Sequence, residues 1–141
     1  MRSILIISLF LLFYPIVNIN AETGIPDIVI NGLGEYRSNG PEAAIMAWLK
    51  DSPMEGDKQA IGTANIFRQI ENLYGSYVGY SLIKIADISE TSKRIYLQMN
   101  YQKGPLYCKF LCYQFGDKWI ISGQFFFDTD PEKILPDRLL S

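Results

Sequence analysis

Residues 94–127 decide the fold: RIYLQMNYQKGPLYCKFLCYQFGDKWIISGQFFF. Apolar and polar side chains alternate along this stretch, a pattern typical of half-buried β-strands. Two short polar breaks, at 102–104 and 115–117, divide it into strands at 94–101, 105–114 and 119–127. Because connections this short favour antiparallel neighbours, we predict consecutive hairpins.

The alternation also predicts which face of the sheet is buried. Lys109 should avoid the core, which turns its immediate neighbours inward. The predicted core face comprises Ile95, Leu97, Met99, Tyr101, Cys108, Phe110, Cys112, Ile121, Phe125 and Phe127.

The opposite, outer face carries large apolar rings among polar residues. Apolar patches larger than a few hundred Å² are uncommon on soluble monomers, so we predict a homodimer through this face. The candidate interface residues are Tyr96, Tyr107, Leu111, Tyr113, Ile120 and Phe126, with Gln98, Asn100, Lys109 and Gln124 as polar or rim residues.

A fourth strand and three helices are predicted upstream. Residues 77–88 are rich in β-forming side chains and precede the polar turn 89–92. Helical spacing predicts helices at 26–37, from Pro41 to the Ser52-Pro53 stop, and from Thr63 or Ala64 to Gly75. Between the last two, we interpret the segment 54–58 as a solvated helix connection. The last helix carries its apolar stripe on Ile66, Phe67, Ile70, Leu73 and Tyr74. Helices followed by strands indicate an α+β fold.

The first 21 residues have the order of a secretory signal peptide: Arg2, an apolar run at 4–17, and a small residue, Ala21. The run is shorter than the roughly 20 residues of a membrane-spanning helix, and Pro15 interrupts it. We therefore expect cleavage after Ala21, a single mature domain at 22–141, and a bacterial periplasmic or secreted location, with no membrane attachment after cleavage.

Composition excludes several functional classes. The 141 residues carry 13 Lys and Arg against 15 Asp and Glu, a formal net charge of −2, which gives no excess of positive charge for nucleic acid. The chain has no histidine, the commonest general base and metal ligand. We identify no catalytic, cofactor-binding or metal-binding residue and expect no cofactor.

Two local motifs have simple structural interpretations. Cys108 and Cys112 lie four residues apart on a strand, about 13 Å, which is too far for a disulfide. We expect two buried free thiols. The acidic group Asp128, Asp130 and Glu132 suggests calcium, but Asp130-Pro131 is more typical of a capped turn that opens a short helix.

The segment 40–50 (GPEAAIMAWLK), followed by Ser52-Pro53, and the ending 127–136 (FDTDPEKILP) resemble a group of small exported bacterial proteins of unassigned function. This resemblance implies a cystatin-like, or nuclear-transport-factor-2-like, cone: N-terminal helices packed on a curved four-stranded antiparallel sheet. Such folds include enzymes and binding modules alike, so the fold does not fix the function.

Three functions fit the sequence. The first is a non-enzymatic binding or protein-interaction module that uses the outer face. The second is a small-molecule pocket protein, or a weak isomerase-like enzyme, with an apolar ligand in the mouth of the cone oriented by tyrosine hydroxyls. The third is an inhibitor or immunity-type partner of an exported toxin.

Overall fold

The computed structural model describes residues 24–123 and 125–141, so the expected signal peptide lies outside the described residues. Four helices come first in this described part of the chain. They are α1 (Asp27–Asn39), α2 (Pro41–Trp48), the short α3 (Lys58–Gly62) and α4 (Ala64–Tyr74). The three predicted helices are confirmed, whereas α3 lies between the second and third of them, where we predicted no helix. Its N-cap is Asp57, whose carboxylate accepts a hydrogen bond from the Ala60 amide.

An antiparallel sheet follows the helices. Its strands are β1 (Tyr77–Ser89), β2 (Ser92–Tyr101), β3 (Gly104–Phe115), β4 (Lys118–Ile121) and β5 (Phe126–Asp128). β1, β2, β3 and β4 are adjacent in that order, and β5 also pairs with β3. The prediction of an α+β fold with antiparallel neighbours is therefore confirmed.

The predicted single last strand is interrupted. β4 pairs Ile121 with Cys112, and β5 pairs Phe126 with Lys109. Between these pairs β3 has two residues, 110 and 111, whereas the chain from β4 to β5 has four. Because the insertion adds an even number of residues, the alternation is preserved, and Phe125 and Phe127 still pack on the core while Phe126 is exposed. The sheet thus has five strands rather than four.

The core lies between the helices and the inner face of the sheet. Trp48 of α2 is completely buried, and its indole N–H donates to the Val29 carbonyl oxygen of α1, 3.1 Å away. Gly32 lies directly against this indole, which is why a glycine is tolerated within α1. The core face predicted for the second and third strands is confirmed: those residues are all buried.

The predicted apolar stripe of α4 is wrong in part. Phe67 is completely buried, and Ile70 and Tyr74 pack against the core. Ile66 and Leu73 are 47% and 64% exposed. The helix buries one narrow face with spacing i, i+3 and i+7, so residues on its flanks remain in solvent.

The C-terminal segment crosses the outer face of the sheet. A short 3-10 helix (Pro131–Lys133) begins after Asp130, whose carboxylate accepts from the Glu132 amide at 3.0 Å, as the capped-turn interpretation predicts. Ile134 and Leu135 then form a second buried cluster with Tyr96, and Tyr107 packs against it. A second 3-10 helix (Asp137–Leu139) follows.

Candidate functional site: a groove on the outer face of the sheet

The C-terminal segment divides the outer face into a covered part and an open part. Tyr96 is only 5% exposed because it lies in the cluster with Ile134 and Leu135, and Tyr107 packs beside it. Tyr96 is therefore buried and Tyr107 is partly buried, although the sequence predicts both on the exposed outer face. Leu111, Tyr113, Ile120 and Phe126 lie outside this cluster.

The open part contains a groove of about 360 Å³, which we call the outer groove. It is lined by Arg94, Lys109, Leu111, Gly123 and Phe126. The interruption between β4 and β5 places Gly123 at its edge, and the Ser122 amide still donates to the Leu111 carbonyl oxygen at 3.0 Å. A β-carbon at Gly123 would meet no atom within 4 Å, so the absence of a side chain leaves the groove open.

The outer groove is cationic. The Lys109 ammonium lies 4.7 Å from the centroid of the Phe126 ring, a cation–π contact that holds it beside the apolar wall. Within the described part of the chain, neither Arg94 nor Lys109 forms an ion pair. Two uncompensated positive charges thus border an apolar surface, although the whole chain is net negative.

Two further apolar side chains lie beside the outer groove. Tyr113 of β3 is directly opposite Ile120 of β4 in the sheet register, and Tyr113 is 39% exposed. Of the predicted polar residues, Gln98 and Asn100 bond to each other, and Asn100 bonds to Ser81. Gln124 lies outside the described residues.

Neither Arg94 nor Gly123 was identified as a site residue from the sequence. Arg94 is paired with Leu111 across β2 and β3, but alternation alone does not distinguish it from an ordinary solvated charge. The signal for Gly123 was the Ser122-Gly123 dipeptide inside a predicted strand, because glycine within a strand often marks a bulge.

No tyrosine is among the described residues that line the pocket next to Phe125 and Phe127. The Tyr101 hydroxyl donates to that of Tyr36, 3.0 Å away in the core. Tyr36 and Tyr77 instead line a cleft of about 290 Å³ near the end of α4. Burial, with hydrogen bonds to Tyr101 and Glu71, raises the pKa of Tyr36 far above its usual value. Burial also raises the pKa of Tyr77 to about 12. Neutral phenols of this kind are poor general bases near neutral pH.

Both cysteines are free and buried, as predicted. Burial raises the pKa of the Cys112 thiol to about 12, opposed by the charge of Lys93. Burial alone raises that of Cys108 further. Since the thiolate is the reactive form, we expect both thiols to react slowly in the folded chain.

Residues 24–123 and 125–141 contain no group of three or more metal-ligating side chains. No helix in that same part of the chain is long and apolar enough to cross a membrane. Comparisons with protein-family models, curated proteins and solved structures find no match for the chain.

Proposed function

We propose that the protein is a non-enzymatic binding module whose outer groove takes an acidic segment of a partner protein that also carries apolar side chains. The observation that carries this proposal is that two cations and two apolar walls line the same groove. The cations are Arg94 and Lys109, neither of which has an ion-pair partner among the described residues, and the walls are Leu111 and Phe126. Carboxylates satisfy the cations, while apolar side chains cover the walls.

An extended peptide fits this surface better than a compact anion. The exposed Tyr113 and its cross-strand neighbour Ile120 continue the apolar surface beyond the groove along the sheet. A peptide with alternating acidic and apolar residues presents both types of side chain at the two-residue spacing of a strand.

The expected location supports an extracytoplasmic partner. We infer that residues 1–21 direct export and are removed, which leaves the module in the periplasm or outside the cell. An exported toxin, which this protein would inhibit as an immunity-type partner, is one partner of this kind. N-terminal sequencing of exported material is expected to begin at Glu22.

We also propose that the helices and sheet form the cone of cystatin-like proteins. The order of helices before a continuous antiparallel meander supports this assignment. Strong curvature of the sheet around α4 in an experimental structure would be the distinguishing feature.

A second copy of the chain is the other candidate occupant, because the exposed apolar residues lie on one face. A two-fold pairing centred on the groove, however, would bring Arg94 and Lys109 of one copy close to the same residues of the other, and these like charges repel. Sedimentation equilibrium distinguishes the two cases. A dimer that Phe126→Glu dissociates would assign the groove to a second copy and overturn the peptide proposal.

The direct binding test uses a short peptide of alternating aspartate and leucine, labelled with a neutral dye and followed by fluorescence anisotropy. The double variant Arg94→Gln, Lys109→Gln is expected to bind about tenfold more weakly, because two charge contacts are lost. Added salt should weaken binding to the wild type and have less effect on the variant.

The matched control removes two exposed lysines that do not line the groove. Lys58→Gln, Lys103→Gln changes the net charge equally and is expected to bind like the wild type. Equal losses in both double variants would mean that net charge, rather than the outer groove, attracts the peptide, and would contradict the proposal.

A further inference from the structure

A separate pocket of about 480 Å³, the mouth pocket, lies between the helices and the inner face of the sheet. Its volume is within the range of pockets that hold small molecules. The lining comes from the end of α2, from α3 with its flanking residues, and from β5 with the residue that precedes it. These residues are Leu49, Met54, Asp57, Gln59, Ala60, Thr63, Phe125 and Phe127.

Two phenylalanine rings form the rigid wall of the mouth pocket. Phe125 and Phe127 are stacked, with centroids 5.9 Å apart. Phe125 also stacks on Phe110 at 5.8 Å, and Phe127 packs on Phe67 at 4.5 Å. Because Phe110 and Phe67 are completely buried, both wall rings are fixed from behind while remaining half-buried themselves.

The rim of the pocket is polar and negatively charged. Asp57 alone carries a charge among the described residues that line it. One carboxylate oxygen of Asp57 accepts from the Ala60 amide at 2.8 Å, and Asp57 forms no ion pair with any described residue. The Gln59 side chain and the Thr63 hydroxyl add neutral polar groups.

We propose that the mouth pocket binds a small organic cation, an amine attached to an aromatic or alkyl body. The ring wall accepts the apolar body, while the ammonium gains from the Asp57 carboxylate and from the electron-rich ring faces. This ligand is opposite in charge to the occupant of the outer groove, so the two sites have different specificities and different residues.

The test uses three probes with the same aromatic body: naphthylmethylamine, naphthylmethanol and naphthoate, each titrated by calorimetry. The amine is expected to bind about tenfold more tightly than the alcohol, because it alone gains the charge interactions. Naphthoate is expected to bind most weakly. An amine that binds no better than naphthoate, or shows no saturable binding at millimolar concentration, would overturn the proposal.

Two variants assign the binding to this pocket. Asp57→Asn keeps an N-cap for α3, since asparagine caps as well as aspartate, and is expected to reduce the affinity for the amine to that for the alcohol. Ala60→Leu fills the pocket and is expected to weaken all three probes. Arg94→Gln, Lys109→Gln is the control and should leave amine binding unchanged. Unaltered amine affinity in Asp57→Asn would contradict the assignment.

Discussion

Gly32 is the residue whose lack of a side chain allows α1 and α2 to pack. A β-carbon at this position would overlap the Trp48 indole, whose N–H is bonded to the Val29 carbonyl oxygen. We expect Gly32→Ala to lower the free energy of unfolding by about 2 kcal/mol, measured by urea denaturation.

Gly34 supplies the matched control on the same helix. A β-carbon there would meet nothing within 4 Å, so Gly34→Ala should raise the free energy of unfolding by about 0.5–1 kcal/mol through helix propensity. Similar effects of the two substitutions would show that α1 does not approach Trp48 as closely as described.

The two thiols are expected to react slowly in the folded protein. Cys108 and Cys112 are 1% and 0% exposed, and burial raises the pKa of both. Thiol titration should give slow labelling without denaturant and two rapidly reacting thiols with it. Rapid labelling of both thiols in the native protein would mean that β3 presents its other face to the core.

The same pKa shifts predict how stability depends on pH. Cys112 loses its proton near pH 9 when unfolded, but its pKa is about 12 when folded. Above about pH 9 the unfolded state has therefore lost a proton that the folded state retains, so the free energy of unfolding falls as pH rises toward 12. Cys108→Ala, Cys112→Ala should show a shallower fall in denaturation experiments. An identical slope would contradict the burial of these groups.

The C-terminal segment stabilises the fold by covering the outer face beside Tyr96. Leu135 is 8% exposed within this cluster, whereas Leu140 is 41% exposed. We expect Leu135→Ala to lower the free energy of unfolding by about 2 kcal/mol, and Leu140→Ala to change it by less than about 0.5 kcal/mol. Equally small effects in urea denaturation would place the segment away from the sheet.

Helices and strands with strong periodicity are predictable from the sequence. The residues that each of them contacts in the folded chain are less predictable. Alternation identified the inner faces of β2 and β3 because each position there contacts the same core. The exposure of Ile66 and Leu73 depends on how widely the sheet contacts α4, which is a tertiary property. The five-residue α3 is too short for a clear helical period.

The candidate site depends on contacts between distant parts of the chain, and this limits its prediction. The sequence placed Leu111 and Phe126 on the outer face, and the structure brings them together in one groove. No pattern in the sequence indicated that Ile134 and Leu135 would cover Tyr96, because that contact joins segments far apart in sequence. Nor does sequence alternation show that Arg94 and Lys109 share the groove without an acidic partner among the described residues.

At the scale of the whole molecule, two of the openings among the described residues have opposite charge and lie on opposite sides of one sheet. The outer groove is bordered by Arg94 and Lys109, and the mouth pocket by Asp57. A ligand selected by charge should distinguish them, since each opening repels the other's occupant.

Backbone amide chemical-shift mapping with the aspartate–leucine peptide tests the central claim most directly, because it reports where the peptide binds. We expect the largest shifts at Arg94, Lys109, Leu111, Gly123 and Phe126, with none at the mouth pocket. Gly123→Leu, whose β-carbon would meet no atom within 4 Å, is expected to fill the outer groove and abolish them. Shifts concentrated elsewhere, or retained in Gly123→Leu, would contradict the assignment of binding to the outer groove.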